Sequence, residues 1–286
     1  MATASVRPAS TVVLLRERDE LEVFLVRRHD RIAFMGGAHV FPGGSVDVSD
    51  GASVIDGVCD GIETVSTRMP DLPRDRAIAF HVAAVRELFE EAGVILARHD
   101  GAMLAVDASL APFADYRREL IAGRLALRDI AVAEAVTLTL DALTYFAHWI
   151  TPESEPRRFD TRFFVAIAPD GQDAAHCEHE TTDGVWLTPS DALARCRAGE
   201  IALPPPTWTT LRQIERHARA ADVIAWARDR HVRSVQPMVI ERGTARVIVL
   251  PGDPLHPAAD GIDTPERRFL LEDGRWRPMS SDETVT

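Results

Sequence analysis

The run Arg86-Glu87-Leu88-Phe89-Glu90-Glu91-Ala92-Gly93-Val94 constrains this 286-residue chain more than any other segment. It sets three carboxylates within five residues of a stretch that has helical periodicity. Residues three and four apart are neighbours on a helix, so Glu87 adjoins both Glu90 and Glu91. At about 100° of rotation per residue, Ile78, Val82, Val85, Phe89 and Ala92 share one face, and the three glutamates are centred roughly 170° away. The spacing predicts a helix capped at or near Asp71, with Pro73 in its first turn, running to about Ala92. Gly93 then stands where a left-handed residue ends such a helix. One face packs and the other carries concentrated negative charge on an exposed side. Like charges this close repel unless a cation lies among them. Oxygen-only ligands suit a hard ion such as Mg²⁺ or Mn²⁺.

An acidic cluster is also ordinary on a solvated helix face, and Arg86 with Glu90 matches a plain i,i+4 ion pair. The surroundings separate these readings. Upstream, Phe41-Pro42-Gly43-Gly44 is a turn of the kind that lets backbone approach a ligand.

Together these residues resemble the Nudix hydrolases. The signature of that family is Gly, five residues, Glu, seven residues, then Arg-Glu-apolar-x-Glu-Glu-x-Gly-apolar, and Arg86 to Val94 matches its second half in full. The first half departs from the pattern. Gly44 precedes Arg86 by 42 residues instead of 14, which leaves an insertion of 28 residues within Asp50 to Arg76. Counting back eight from Arg86 gives Ile78, not Glu, and counting forward six from Gly44 gives Asp50. The first carboxylate of the motif is therefore the shorter Asp50 or is missing. A motif split in this way resembles the branch of the family that holds the peroxisomal coenzyme A diphosphatase. Further likeness lies in Phe34 to Asp47, in Trp149-Ile150-Thr151-Pro152 and in Glu155 to Phe164.

The resemblance implies an α+β fold, the Nudix α/β/α sandwich with a mixed sheet. It implies a Nudix hydrolase domain over residues 1–203, interrupted by the insertion at about 51–76. Residues 204–286 form a C-terminal helical and β extension packed on the same domain, with the boundary at Pro204-Pro205-Pro206. It implies Glu87, Glu90 and Glu91 as ligands of Mg²⁺ or Mn²⁺, and Arg86 as the arginine that orients a ligand glutamate. The reaction would be cleavage of a diphosphate in coenzyme A or an acyl derivative, giving adenosine 3′,5′-bisphosphate and (acyl-)phosphopantetheine. NADH, ADP-ribose and dinucleotides are alternative substrates, and a catalytically silent nucleotide-binding module is a rival from another class. The general base is open among Glu87, Glu91, Glu178 and Glu180. Gly43 and Gly44 are candidates for backbone contacts to substrate, and Asp47 and Asp50 for support through water.

Other residues are read from chemistry alone. Arg157, Arg158 and Arg162 interleave with Phe159, Phe163 and Phe164, and arginine grips phosphate in bidentate fashion and stacks on rings. They are candidates for the adenosine end of a substrate, or else a solvated strand edge. Trp149, Trp186 and Trp208 read as core. His176, Cys177 and His179 read as loop residues rather than a zinc site.

A net charge of −12 argues against a partner bound through a nucleic-acid backbone, while a bound cation keeps phosphate-bearing substrates open. Three scattered cysteines, Cys59, Cys177 and Cys196, fit a reducing cytoplasm. No apolar run reaches membrane-spanning length, the start shows no secretory signal, and the end, Thr-Val-Thr, lacks a peroxisomal address. The segment after Pro206 is expected either to wall the substrate pocket or to serve a homodimer contact.

Along the chain, Thr11–Leu15 and Leu21–Arg27 read as a hairpin. Pro112–Gly123 reads as a helix, Arg128–Leu143 as one or two short helices, and Leu143–Ile150, Arg162–Ala168 and Gly184–Leu187 as strands. Ser190 is expected to start one helix and Thr207 another. Val239–Leu250 and Arg268–Pro278 read as hairpins turning at Arg242-Gly243 and Asp273-Gly274. The insertion, with Gly51, Gly57, Gly61, Pro70 and Pro73, is expected to be irregular or short-helical and to cover one side of the site.

Overall fold

A computed structural model of the chain describes residues 5–30, 36–51, 53, 55, 57–107, 111–175, 181–243, 245–280 and 283. Phe34, Met35 and residues 176–180, with Glu178 and Glu180 among them, lie outside the described residues.

Two β-branched runs, Val6–Glu17 (β1) and Leu21–Arg28 (β2), form the expected hairpin, with β1 beginning five residues earlier than the apolar run. The extra length gives β1 two neighbours on one side. Its C-terminal end pairs with β2, and Ala9–Thr11 pair with the glycine strand β4 (Gly43–Ser45). The short β3 (His39–Val40) pairs with β2. On its other side β1 runs parallel to Arg158–Ile167, joined in turn by Thr144–Ile150.

The insertion carries a short strand, β5 (Cys59–Asp60), and a helix, α1 (Ile62–Arg68). The acidic helix is α2 (Arg74–Ala92); Gly93 ends it at φ 69° and donates its N–H to the Phe89 carbonyl at 3.0 Å. A small sheet follows, from β6 (Ala97–His99), β7 (Ala102–Met103) and β8 (Thr137–Thr139), with helices α3 (Phe113–Ile121) and α4 (Leu127–Ala133) between β7 and β8. Two short helices fill the place read as one or two, α4 and a 3₁₀ turn at Leu140–Ala142, with β8 between them. Then come β9 (Thr144–Ile150), β10 (Arg158–Ile167) and β11 (Thr181–Leu187). The central mixed sheet runs β11-β2-β1-β10-β9, closed at its edge by β12 (Ser234–Val235).

Three helices cover the second face: α5 (Pro189–Arg197), α6 (Pro205–Ile214) and α7 (Ala220–Asp229). Thr188, not Ser190, caps α5, its side chain accepting from the Asp191 N–H. Likewise α6 starts two residues before Thr207, because proline fits the first turn, where its missing N–H costs nothing. Strands β13 (Met238–Arg242), β14 (Ala245–Val249), β15 (Arg268–Glu272) and β16 (Arg275–Pro278) make a third sheet from the two expected hairpins. The architecture is α+β, a mixed sheet between helical layers.

Period-2 alternation divides the core. Val12, Leu14, Phe24, Val26, Tyr145 and Phe164 pack beneath α2. Val13, Leu15, Val23, Leu25, Phe146 and Phe163 pack with Leu211, Ile214 and Val223 of α6 and α7, and with Phe269 of β15. Trp149 and Trp208 are buried there as expected, whereas Trp186 is half-buried with the Arg16 guanidinium 4.1 Å over its ring.

The insertion does not cover the acidic helix face. It adds Ile55, Val58, Val65 and Met69 to the α2 core, and β5 pairs in parallel with β8. A loop that buries this much apolar surface is part of the fold. Met69→Ala is expected to cost about 2–5 kcal/mol, measured by urea unfolding, and deletion of Gly51 to Pro70 is expected to unfold the protein. An unchanged unfolding midpoint in either variant would mark the segment as dispensable.

Candidate active site

The acidic face of α2 is not solvated. Arg86, Glu87 and Glu91 are all buried, and Glu90 is half-buried. The reason is the glycine strand laid across them. A Cβ on Gly44 would stand 2.4 Å from Glu87 Oε1, and one on Gly43 would stand 2.3 Å from the Ser10 carbonyl. A side chain at Gly44 would collide with the Glu87 carboxylate, and one at Gly43 would push the strand away from β1. Gly43 in turn donates its N–H to Glu91 Oε2 at 2.9 Å.

Arg86 ties the parts together. Its Nε and Nη2 donate to the two oxygens of Asp50 at 2.9 and 3.0 Å, its Nη1 to Glu87 at 2.8 Å and to Glu90 at 3.3 Å, and its Nη2 also to the Ser45 carbonyl at 2.7 Å. Asp50 is 1% exposed and also accepts the Asp47 N–H at 2.7 Å. It reaches Arg86 although 35 residues separate them in sequence. At the helix end, Arg117 donates to the Glu90 carbonyl at 2.9 Å, which fixes the backbone beneath that carboxylate.

These groups floor a cavity of about 460 Å³. Asp47, Glu87 and Glu90 supply its acid; Glu91 is turned to the Gly43 N–H instead and is not part of the wall. Phe159, Thr161 and Phe163 of β10 form an opposing wall, with Pro206 and Thr207 beside them. Through Phe159, Thr161, Phe163 and Pro206 the cavity shares its wall with an apolar slot of about 130 Å³ that Trp149, Pro205 and Ile248 help to line. The run expected as a domain boundary therefore contributes to the site.

Of the three candidate arginines, the structure brings only Arg157 to the cavity. Arg158 and Arg162 alternate with Phe159, Thr161 and Phe163 and so point to the opposite face of the sheet. Arg158 bonds the Thr151 carbonyl at 3.2 Å, and Arg162 bonds Asp71 at 2.9 Å and the Tyr145 hydroxyl at 2.8 Å. A residue the sequence reading passed over, Arg28 at the end of β2, does line the cavity, and its buried Nε has no hydrogen-bond partner among the described residues. Its only sequence signal was its place beside Arg27 at the strand terminus.

Four carboxylates, Asp47, Asp50, Glu87 and Glu90, surround one guanidinium, and Glu91 stands beside them on the same helix. Burial, and then the charges of Glu91 and Glu90, push Glu87 up to about 8 against the opposing pull of Arg86. That surplus of negative charge fits a divalent cation. Among the described residues, no three metal-binding side chains are gathered into a ready-made cage.

A mixed sheet between helical layers, with a glycine strand pressed against an Arg-Glu-x-x-Glu-Glu helix, defines a Nudix hydrolase. The chain belongs to the family described as the NUDT19 Nudix domain, whose model matches residues 62–214. It is 29% identical over 274 residues to human "Acyl-coenzyme A diphosphatase NUDT19", covering 82% of this chain and 72% of that protein. The protein of the same name from Xenopus laevis is 25% identical over 273 residues, covering 83% of this chain and 72% of the relative. The crystal structure of a Nudix hydrolase from Alicyclobacillus acidocaldarius superposes with a TM-score of 0.65 at 27% identity, covering 78% of this chain and 97% of that one.

The raised Glu87 sets a sign for the pH dependence of the metal-free protein. Its carboxyl holds a proton in the fold up to about pH 8, while the unfolded chain releases it near 4.5. Stability is therefore lost as pH climbs toward 8. His81, held neutral by burial down to about 4, does not oppose this above its ordinary 6.5. Between pH 6.5 and 8 the melting temperature in EDTA is expected to fall. Glu87→Gln should flatten that slope, and Mg²⁺ should raise the melting temperature more at pH 8 than at pH 6.5. A slope that Glu87→Gln leaves unchanged would assign it to another group.

Proposed function

We propose that this chain hydrolyses the diphosphate of coenzyme A or an acyl-coenzyme A, releasing adenosine 3′,5′-bisphosphate and the corresponding (acyl-)phosphopantetheine. The observation that carries the reading is one cavity with an acidic floor, Glu87 and Glu90, and two arginines, Arg28 and Arg157, on its walls. The names of the human and Xenopus relatives supply the substrate class.

A diphosphate repels an attacking water through its own charge. Mg²⁺ or Mn²⁺ bound there would offset that charge and lower the pKa of a coordinated water. Glu87 and Glu90 are the carboxylates we assign to hold it, with Glu91 completing the acidic set at the glycine strand. Arg86 keeps Glu87 and Glu90 from repelling one another and fixes their rotamers. The water oxygen bonds to one phosphorus, the bridging P–O bond breaks, and the bridging oxygen leaves with the other phosphate.

Arg28 and Arg157 suit the remaining phosphate of the substrate, which for coenzyme A is the 3′-phosphate. The apolar slot beside Phe159 and Phe163 offers a surface for the uncharged part.

The test is a substrate panel of coenzyme A, acyl-coenzyme A, dephospho-coenzyme A, NADH, ADP-ribose and diadenosine compounds with Mg²⁺ or Mn²⁺. Coenzyme A thioesters should be cleaved fastest, with adenosine 3′,5′-bisphosphate as product. Preference for NADH or ADP-ribose would replace the substrate and keep the chemistry. Glu87→Gln and Glu90→Gln should each cut kcat by more than about 100-fold, beyond the 10–100-fold typical of groups that merely support a ligand. Survival of near-normal turnover would refute the metal assignment. Arg157→Ala should raise KM for coenzyme A by roughly tenfold, the scale of one charge-assisted hydrogen bond, and leave dephospho-coenzyme A nearly unchanged. Equal loss on both substrates would move Arg157 away from the 3′-phosphate.

A further inference from the structure

A second cavity, of about 700 Å³, lies on the α2 face of the sheet and shares no lining residue with the acidic one. Register separates them. Ser10, which bonds the Phe80 carbonyl of α2, stands opposite Arg162, whereas Thr11 and Phe163 point to the other side. Arg68 of α1, Arg162 of β10, and Arg228 and Arg230 at the end of α7 all line this cavity, with His148 and His231. Among the described residues its only lining carboxylate is Asp71.

The charges do not cancel. Asp71 and Asp160 both pair with Arg162, at 2.9 and 3.3 Å, and Asp160 also takes the His148 ring nitrogen at 2.6 Å. Four arginines against these two carboxylates leave an excess of two positive charges before either histidine is counted. Arg68 and Arg228 make no ion pair among the described residues. Arg230 is held 4.4 Å over the Trp226 ring, and its buried Nε has no hydrogen-bond partner among the described residues. Asp263 acts on it from a distance but is itself bonded by Arg216 at 2.6 Å. A chain of net charge −12 that concentrates unpaired arginines in a concave site has placed them against self-repulsion.

We propose that this cavity binds a small molecule carrying at least two phosphate groups, at a site separate from the acidic one. Guanidinium groups recognise phosphate oxygens in bidentate fashion. Here they come from three elements around one space, and two positive charges in excess call for more than one phosphate. The hydroxyls of Thr64 and Ser234 add donors on the same walls. A nucleic-acid backbone would call for a basic stripe across the surface instead of a pocket in an acidic protein. The site also gives a joint role to two segments outside the Nudix motif. The insertion supplies Arg68, and the C-terminal extension supplies Arg228 and Arg230.

The probe is inorganic triphosphate, titrated calorimetrically into the full chain in EDTA at fixed ionic strength. The wild type should bind it with a Kd below about 1 mM. Arg68→Glu with Arg228→Glu, two half-buried or exposed positions whose fold is checked by circular dichroism, should weaken binding at least tenfold. Arg68→Lys with Arg228→Lys should lose less, and Glu87→Gln with Glu90→Gln should not weaken it. No binding at 10 mM, or binding that the charge reversal leaves intact, would overturn the proposal. So would binding lost only on changes around the acidic cavity.

Discussion

The site depends on one guanidinium. Arg86 satisfies five contacts at once, with partners from three stretches of backbone: the glycine strand through Ser45, the 3₁₀ turn Val48–Asp50 through both oxygens of Asp50, and its own helix through Glu87 and Glu90. Breaking a buried pair of this kind by removing one partner costs about 3–5 kcal/mol, because the other charge stays behind in low dielectric. The pair with Asp50 is the deepest of these contacts. Glu87 and Glu90 share the remaining guanidinium edge and so keep charge to spare. The same residue that secures α2 to the sheet thus leaves two carboxylates only partly neutralised at the cavity floor.

The glycines serve the same end by being small. A helix normally keeps its charged face a side chain's length from the next element. At Gly43 and Gly44 that spacing collapses, and backbone N–H meets carboxylate directly. Close approach expels water from Glu87 and drives its pKa up. A plain hairpin turn would not require glycine at both positions, since only contact with the Ser10 carbonyl and the Glu87 carboxylate excludes a Cβ there.

Much of this was legible in the sequence. The helix with its Gly93 end, the central hairpin, the α+β class and the Arg86 to Glu91 cluster all follow from periodicity and motif. What failed to show has physical causes. Periodicity placed the glutamates opposite the core but cannot see a strand that covers them, so their burial was missed. The arginines of β10 were read as a group, yet a strand sends alternate side chains to opposite faces, so Arg157 parts from Arg158 and Arg162. Arg28 gave no pattern, because a lone arginine at a strand end is usually solvated. Pro204 to Pro206 gave no sign of a helix start, since proline breaks most structure, yet it fits a first helical turn and here opens α6.

The broken spacing of the motif has the most general consequence. A signature read as a fixed count of residues describes two contacts, the glycine strand on the helix and a carboxylate on Arg86. Neither contact needs the chain between Asp50 and α2 to be short. Loop closure grows more costly only with the logarithm of length, so 28 added residues are tolerated as long as both ends return to the same place. The inserted residues offset even that cost by burying Ile55, Val65 and Met69 against α2. Asp50 is one methylene shorter than the glutamate of the family pattern and still reaches the guanidinium in bidentate fashion, because the 3₁₀ turn at Val48–Asp50 carries its backbone toward Arg86. In this site the pairing of charges in space is kept although the spacing along the sequence is not.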